Sequence, residues 1–105
     1  MTSGKLVRDR IPEIISSEGR QPIVRTLRGQ ELLDALHEKL TEEHGEFLAA
    51  TSDAEKAEEL ADMIEVLIAI AKQHGCAETE LMELVARKRA DRGGFSTGTF
   101  YEGDA

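Results

Sequence analysis

Five acidic residues in two short patterns carry the chemistry that this chain offers: Glu42-Glu43-x-x-Glu46, then Glu59-x-x-Asp62. Residues three apart on a helix share a side, so Glu43/Glu46 and Glu59/Asp62 form two carboxylate pairs. Four such groups brought together repel one another unless a cation sits between them. A hard, oxygen-preferring divalent ion resolves the repulsion, and an all-oxygen ligand set points to Mg²⁺, with Mn²⁺ as a substitute. His37, His44 and His74 do not share the spacing of the acids, and there is no Glu-x-x-His pair. A zinc or di-iron centre is therefore disfavoured. Cys76 is the lone cysteine, which excludes an internal disulfide and a cysteine-based zinc cluster.

Helices must position these acids, and the apolar spacing supplies them. Leu32, Leu33, Leu36, Leu40 and Phe47 recur at helical intervals over residues 30–50. Ser52-Asp53-Ala54-Glu55 is a capping-box signature for a second helix that runs to about His74, with Gly75 just beyond. Measured around the helix from Glu43, at about 100° per residue, the apolar side chains fall between roughly −20° and roughly 80°. Glu43 thus lies inside the apolar stripe, with Glu46 at its edge, at about −60°, and Glu42 further out, at about −100°. A carboxylate on a core-facing stripe is costly unless it is paired or bound to a metal. The plainer alternative is that Glu43 reaches water at the helix edge or pairs with a Lys or Arg.

The second helix weighs against that alternative. Measured from Asp62, Glu59 falls at about 60°, while Leu60, Met63, Ile64 and Leu67 cluster over roughly 100–200°. Beyond Glu65 the helix is apolar all round, and such a helix is buried. The acidic stripe therefore runs into a buried seam. The connection near Thr51 and Ser52 is short enough to demand an antiparallel pair, which sets the two carboxylate pairs face to face.

The rest of the chain is consistent with one small all-α domain over residues 1–105. A short helix is expected over residues 12–18, opened by Pro12 and stopped by Gly19. A third main helix is expected near residues 78–91, with Leu81, Leu84 and Val85 on one face, ending before Gly93-Gly94. Residues 21–27, with β-branched Ile23, Val24 and Thr26, read as extended. The tail over residues 95–101 also reads as extended, either pairing with 21–27 or lying over the helices. A core of Leu, Ile, Val and Ala in a chain this short is modest, so oligomerisation is an expected way to complete the bundle.

Charge is unevenly spread. Residues 1–28 carry net +3, residues 29–86 net −12 and residues 87–105 net +1. The overall −8 argues against nucleic acid and anionic membranes as partners. An acidic centre between basic ends suits a cation held by the carboxylates and an anion held by the termini. From charge alone, an acidic solvated helical surface is the competing explanation. The longest apolar run, from Val66 to Ala71, falls far short of the roughly 20 residues that span a bilayer. No secretory leader is legible at the N-terminus, so a cytoplasmic setting is expected.

These acidic patterns resemble the all-α nucleoside triphosphate pyrophosphohydrolases, the MazG-like family, whose motif is Glu-Glu-x-x-Glu, a spacer, then Glu-x-x-Asp. Two further stretches are similar to its phosphoribosyl-ATP pyrophosphohydrolase-like branch. They are Lys5-Leu6-Val7-Arg8-Asp9-Arg10-Ile11-Pro12 and Lys88-Arg89-Ala90-Asp91-Arg92-Gly93-Gly94-Phe95. The resemblance implies Mg²⁺-dependent cleavage of a nucleoside triphosphate between the α and β phosphates, giving the monophosphate and pyrophosphate. It implies a homo-oligomer, dimer or tetramer. It makes Glu43, Glu46, Glu59 and Asp62 metal ligands, with Glu42 orienting the attacking water. Bound metal would neutralise the polyphosphate and activate that water.

The basic stretches have their own geometry. Measured from Leu81, Lys88 falls at about −20° and Arg92 at about 20°, in line with Leu84 and Val85. Both are candidates for phosphate contact, although long basic stems also cover apolar surface and snorkel outwards. Lys5 and Arg8 join them mainly through the resemblance, and Asp9 is placed either to orient Arg8 or to touch substrate. The chain lacks Trp and has only Phe47, Phe95, Phe100 and Tyr101 as stacking platforms, so base specificity has no sequence support. Two alternatives remain: phosphoribosyl-ATP hydrolysis with the same chemistry, and a non-catalytic helical module that binds nucleotide or protein.

Overall fold

A three-residue turn at Ala50–Ser52 folds the acidic half of the chain into a hairpin, and its chemistry is local. Ser52 caps the following helix by accepting a hydrogen bond from the Glu55 backbone N–H at 3.1 Å, and its hydroxyl donates to Glu55 Oε1. This is the capping residue read from the sequence. Lys56 Nζ reaches back to the Phe47 carbonyl at 3.1 Å and lies 4.8 Å from the Phe47 ring centroid. A cation on the last carbonyls of a helix suits the negative end of its dipole. Both contacts fix the angle at which the chain turns back.

The computed structural model describes residues 4–105 as four helices. They are α1 (Ile11–Ser17), α2 (Gly29–Ala49), α3 (Asp53–Gln73) and α4 (Glu78–Arg92). The expected all-α architecture and its helix order are observed; the first three residues of the expected single domain lie outside the described part. Between α3 and α4 the chain reverses at Gly75, where φ is +78° and a side chain would be strained. Its neighbour Cys76 donates its backbone N–H to the Ala71 carbonyl at 2.9 Å, closing the end of α3.

No strand forms among the described residues. Residues 21–27 are irregular, with Ile23 fully exposed and Val24 largely so, because no neighbouring strand pairs with them. The tail begins with a turn closed by Gly98 N–H on the Phe95 carbonyl. It neither pairs with 21–27 nor covers the helices: Phe95 is 99% exposed. β-Branched residues favour strands only when a partner supplies the ladder.

Packing is concentrated in the α2–α3 hairpin. α4 touches α3 alone, and α1 packs against no other helix. Leu36, Val66 and Ile68 are the buried apolar residues, and Glu43 is buried with them. α3 buries Val66 and Ile68 and leaves Leu60, Ile64 and Leu67 over 40% exposed. On α4, Leu84 and Val85 are equally open. The radius of gyration is 17.9 Å, against about 13 Å for a compact chain of this length. One copy thus leaves most of its apolar helix faces uncovered.

Gly45 lies within the unbroken α2, and a Cβ built there meets no atom within 4 Å. Close helix approach is therefore not its role within one chain. Gly45→Ala is expected to stabilise the protein by about 1 kcal/mol, from helix propensity alone. Chemical denaturation would measure it as a higher midpoint with an unchanged slope.

Candidate metal centre

The hairpin brings both acidic patterns to one place. Glu42, Glu43 and Glu46 on α2 offer oxygens within 4.8 Å of one another, and so do Glu43, Glu59 and Asp62 across the two helices. Glu43 belongs to both groups and is 5% exposed. The apolar stripe on which the sequence sets it is the stripe that faces α3.

Two oxygens in this cluster lack any partner. Glu43 Oε2 and Glu59 Oε2 are buried without a hydrogen bond. An unsatisfied buried carboxylate oxygen is expensive to keep, and the donors within reach are few. Glu43 Oε1 lies 3.3 Å from Lys39 Nζ, which is also 3.6 Å from Glu42 Oε1. The Glu59 carboxyl is pushed up to about 7, first by desolvation and then by the adjoining Glu43 and Glu46 carboxylates. Those neighbours favour a retained proton over facing charges. Orphaned oxygens from two helices, converging in a set of only carboxylates, fit a hard divalent ion.

Lys39 escaped the sequence reading. It falls about −40° from Glu43 on the helix, within the same stripe, and that position was its available signal. Its side chain is only 16% exposed. As a charge fixed to α2 beside two of the acids, it lowers their mutual repulsion.

The N-terminal basic residues do reach the cluster. Arg8 Nη2 donates to Asp62 Oδ1 at 2.6 Å, and Lys5 Nζ is 3.7 Å from Glu42 Oε1. The Asp62 hydrogen bond raises the Arg8 guanidinium above its ordinary value, and Glu65 and Glu43 add to the effect. Residues 5–11 and the hairpin enclose a cleft of about 750 Å³ lined by Glu43 and Asp62. Lys88 and Arg92 lie elsewhere: both are exposed on α4, and neither lines this cleft. Lys88 instead borders a smaller hollow of about 400 Å³ with Val85, Arg89 and Phe95.

The model of the phosphoribosyl-ATP pyrophosphohydrolase family matches residues 15–89, which include α2, α3 and every acid of the cluster. An uncharacterised protein of Mycolicibacterium smegmatis is 55% identical over 51 residues, 48% of this chain and 52% of that relative. The chain therefore spans about half the length of the curated relative that it matches. No solved structure matches. No helix among the described residues is long and apolar enough to cross a membrane. With most of its length under that family's pattern and the acidic hairpin inside it, the chain belongs to the phosphoribosyl-ATP pyrophosphohydrolase family, within the all-α pyrophosphohydrolases its motifs resemble.

Proposed function

We propose that this protein is a Mg²⁺-dependent nucleotide pyrophosphohydrolase that cleaves the α–β phosphoanhydride of a nucleoside triphosphate to the monophosphate and pyrophosphate. The observation that carries the reading is the pair of orphaned buried oxygens, Glu43 Oε2 and Glu59 Oε2, in a cluster of facing carboxylates. Glu43, Glu46, Glu59 and Asp62 would hold the ion. When bound, Mg²⁺ or Mn²⁺ supplies charge neutralisation at the polyphosphate and an acidified attacking water.

The chain's own groups do the rest. Glu42, with its side chain about one-third exposed, stands at the mouth of the cluster, where it orients water and accepts its proton. Lys5 and Arg8 line the cleft beside the acids, where they would meet the phosphates. Lys88 and Arg92 join them only if α4 of a second copy brings them in. The uncovered faces of α3 and α4 favour such a homo-oligomer, since one copy buries few of its apolar residues.

A second reading is favoured by the matched family: phosphoribosyl-ATP as the substrate, cleaved with the same release of pyrophosphate. The test is product identity. Purified protein with Mg²⁺ should release pyrophosphate, not orthophosphate, from a member of a panel of NTPs, dNTPs and modified nucleotides, and chelation should stop it. Release from phosphoribosyl-ATP alone would select the second reading. Orthophosphate release would overturn α–β cleavage, and silence across the panel and phosphoribosyl-ATP would leave a non-catalytic binding module.

A further inference from the structure

Asp62 is claimed twice. Its carboxylate belongs to the cluster with Glu43 and Glu59, and the same carboxylate holds the Arg8 guanidinium at 2.6 Å. We propose that Arg8 exchanges partners: it neutralises Asp62 in the metal-free chain and passes to the substrate's phosphates once a divalent ion takes its place. This inference rests on the metal reading above.

Three features support an exchange over a fixed clamp. The first is how loosely the segment is anchored. Residues 4–8 have no regular secondary structure, and the α1 helix that follows packs against no other helix. The Arg8 side chain is 54% exposed and that of Lys5 67%. Half-buried Leu6 anchors the segment by its apolar side chain, whereas its charged tips are held only by Asp62 and Glu42, and ion pairs this open are weak. A swing therefore costs little.

The second is the contrast with Lys39. That cation is carried by α2 itself, one turn from Glu42 and Glu43, and is largely buried. Its charge stays with the cluster whatever is bound. Arg8 comes from 54 residues away in sequence and is the cation free to leave.

The third is the space beside the pair. The cleft of about 750 Å³ is lined by Arg8 together with Glu43 and Asp62, a size that suits a small phosphorylated ligand. A guanidinium also matches phosphate as well as carboxylate, with the same planar fork. Released from Asp62, Arg8 would face that cleft with its donors unspent. Entry of cation and then polyphosphate would thus be coupled: the ion lowers the cost of freeing Arg8, and Arg8 then raises affinity for the anion.

The exchange predicts effects of opposite sign from one substitution. By calorimetry on the full chain without nucleotide, Arg8→Ala should bind Mg²⁺ about fivefold tighter, the change equivalent to losing a competing pair of about 1 kcal/mol. With Mg²⁺ present, the same variant should bind an α,β-methylene nucleoside triphosphate more weakly, by at least about fivefold. In the wild type, tryptic cleavage after Arg8 or Arg10 should speed up when Mg²⁺ is added and slow again with the analogue. Mg²⁺ affinity unchanged or weakened in Arg8→Ala, while Asp62→Asn still loses the ion, would make Arg8 a fixed clamp and overturn the exchange. A wild type that takes no Mg²⁺, or an Asp62→Asn variant that binds it unaltered, would sink the metal reading beneath it. Should Arg8→Ala lose its helical circular dichroism, Arg8→Gln provides the same comparison.

Discussion

Glu43→Gln is expected to abolish pyrophosphate release while making the metal-free protein harder to melt. Both effects have one origin. Glu43 is the residue common to the two acidic groups, and its Oε2 is buried without a partner. As one of the proposed ligands it would share in charge stabilisation worth several kcal/mol. Losing about 4 kcal/mol of that amounts to roughly a thousandfold in rate. Without the ion, the same carboxylate is a liability, because it faces Glu59 and Glu46 and leaves an oxygen unsatisfied. Removing the charge should recover about 1–2 kcal/mol, seen as a melting temperature several degrees higher. The loss of the Lys39 contact is softened because Lys39 retains Glu42 at 3.6 Å.

Asp62→Asn makes the contrast. Its activity should fall with that of Glu43→Gln, but its metal-free stability should change by less than about 1 kcal/mol in either direction. Asp62 already has a counter-ion in Arg8, and the pair is half-exposed. If both variants lost activity and neither gained stability, the carboxylate crowding at Glu43 would be weaker than its burial indicates. If both stayed active, the cluster would not be the catalytic centre.

The hairpin and the convergence of its acids were legible because each rests on periodicity. Glu43 falls among Leu32, Leu36 and Leu40 on the helix, and such a stripe is the side that a helix turns to its neighbour. Ser52 and Glu55 announce the start of α3 through local hydrogen bonding, which needs no tertiary context. The Arg8–Asp62 pair needs such context: nothing in the spacing of residues 54 apart specifies which carboxylate a guanidinium meets. The alternative pairing of the tail with residues 21–27 fails for the same reason, since a ladder requires two strands brought together by the fold. α4 is the subtler case. Its Leu84 and Val85 do lie on one face with Lys88, yet that face is open in a single copy. Amphipathic pattern identifies a face that is to be covered and says nothing of which molecule covers it.

Mg²⁺ affinity should rise steeply with pH up to about 7 and then level off, while metal-free stability should fall over the same range. Glu59 drives both. Its carboxyl is raised from the ordinary 4.5 to about 7 in the folded chain. Between those values the folded protein keeps a proton that the unfolded chain has lost, so stability is full below 4.5 and declines as pH climbs through 7. A ligand must be deprotonated to bind, so the ion has to displace that proton. For one displaced proton with a pKa near 7, affinity at pH 5.5 should be about 25-fold weaker than at pH 7.5. Calorimetry in buffers of differing ionisation enthalpy counts the proton directly: close to one released per binding event at pH 6, and close to none at pH 8. Glu59→Gln should bind Mg²⁺ more weakly and flatten this dependence. A pH profile as steep in Glu59→Gln as in the wild type would overturn Glu59 as the source of the dependence.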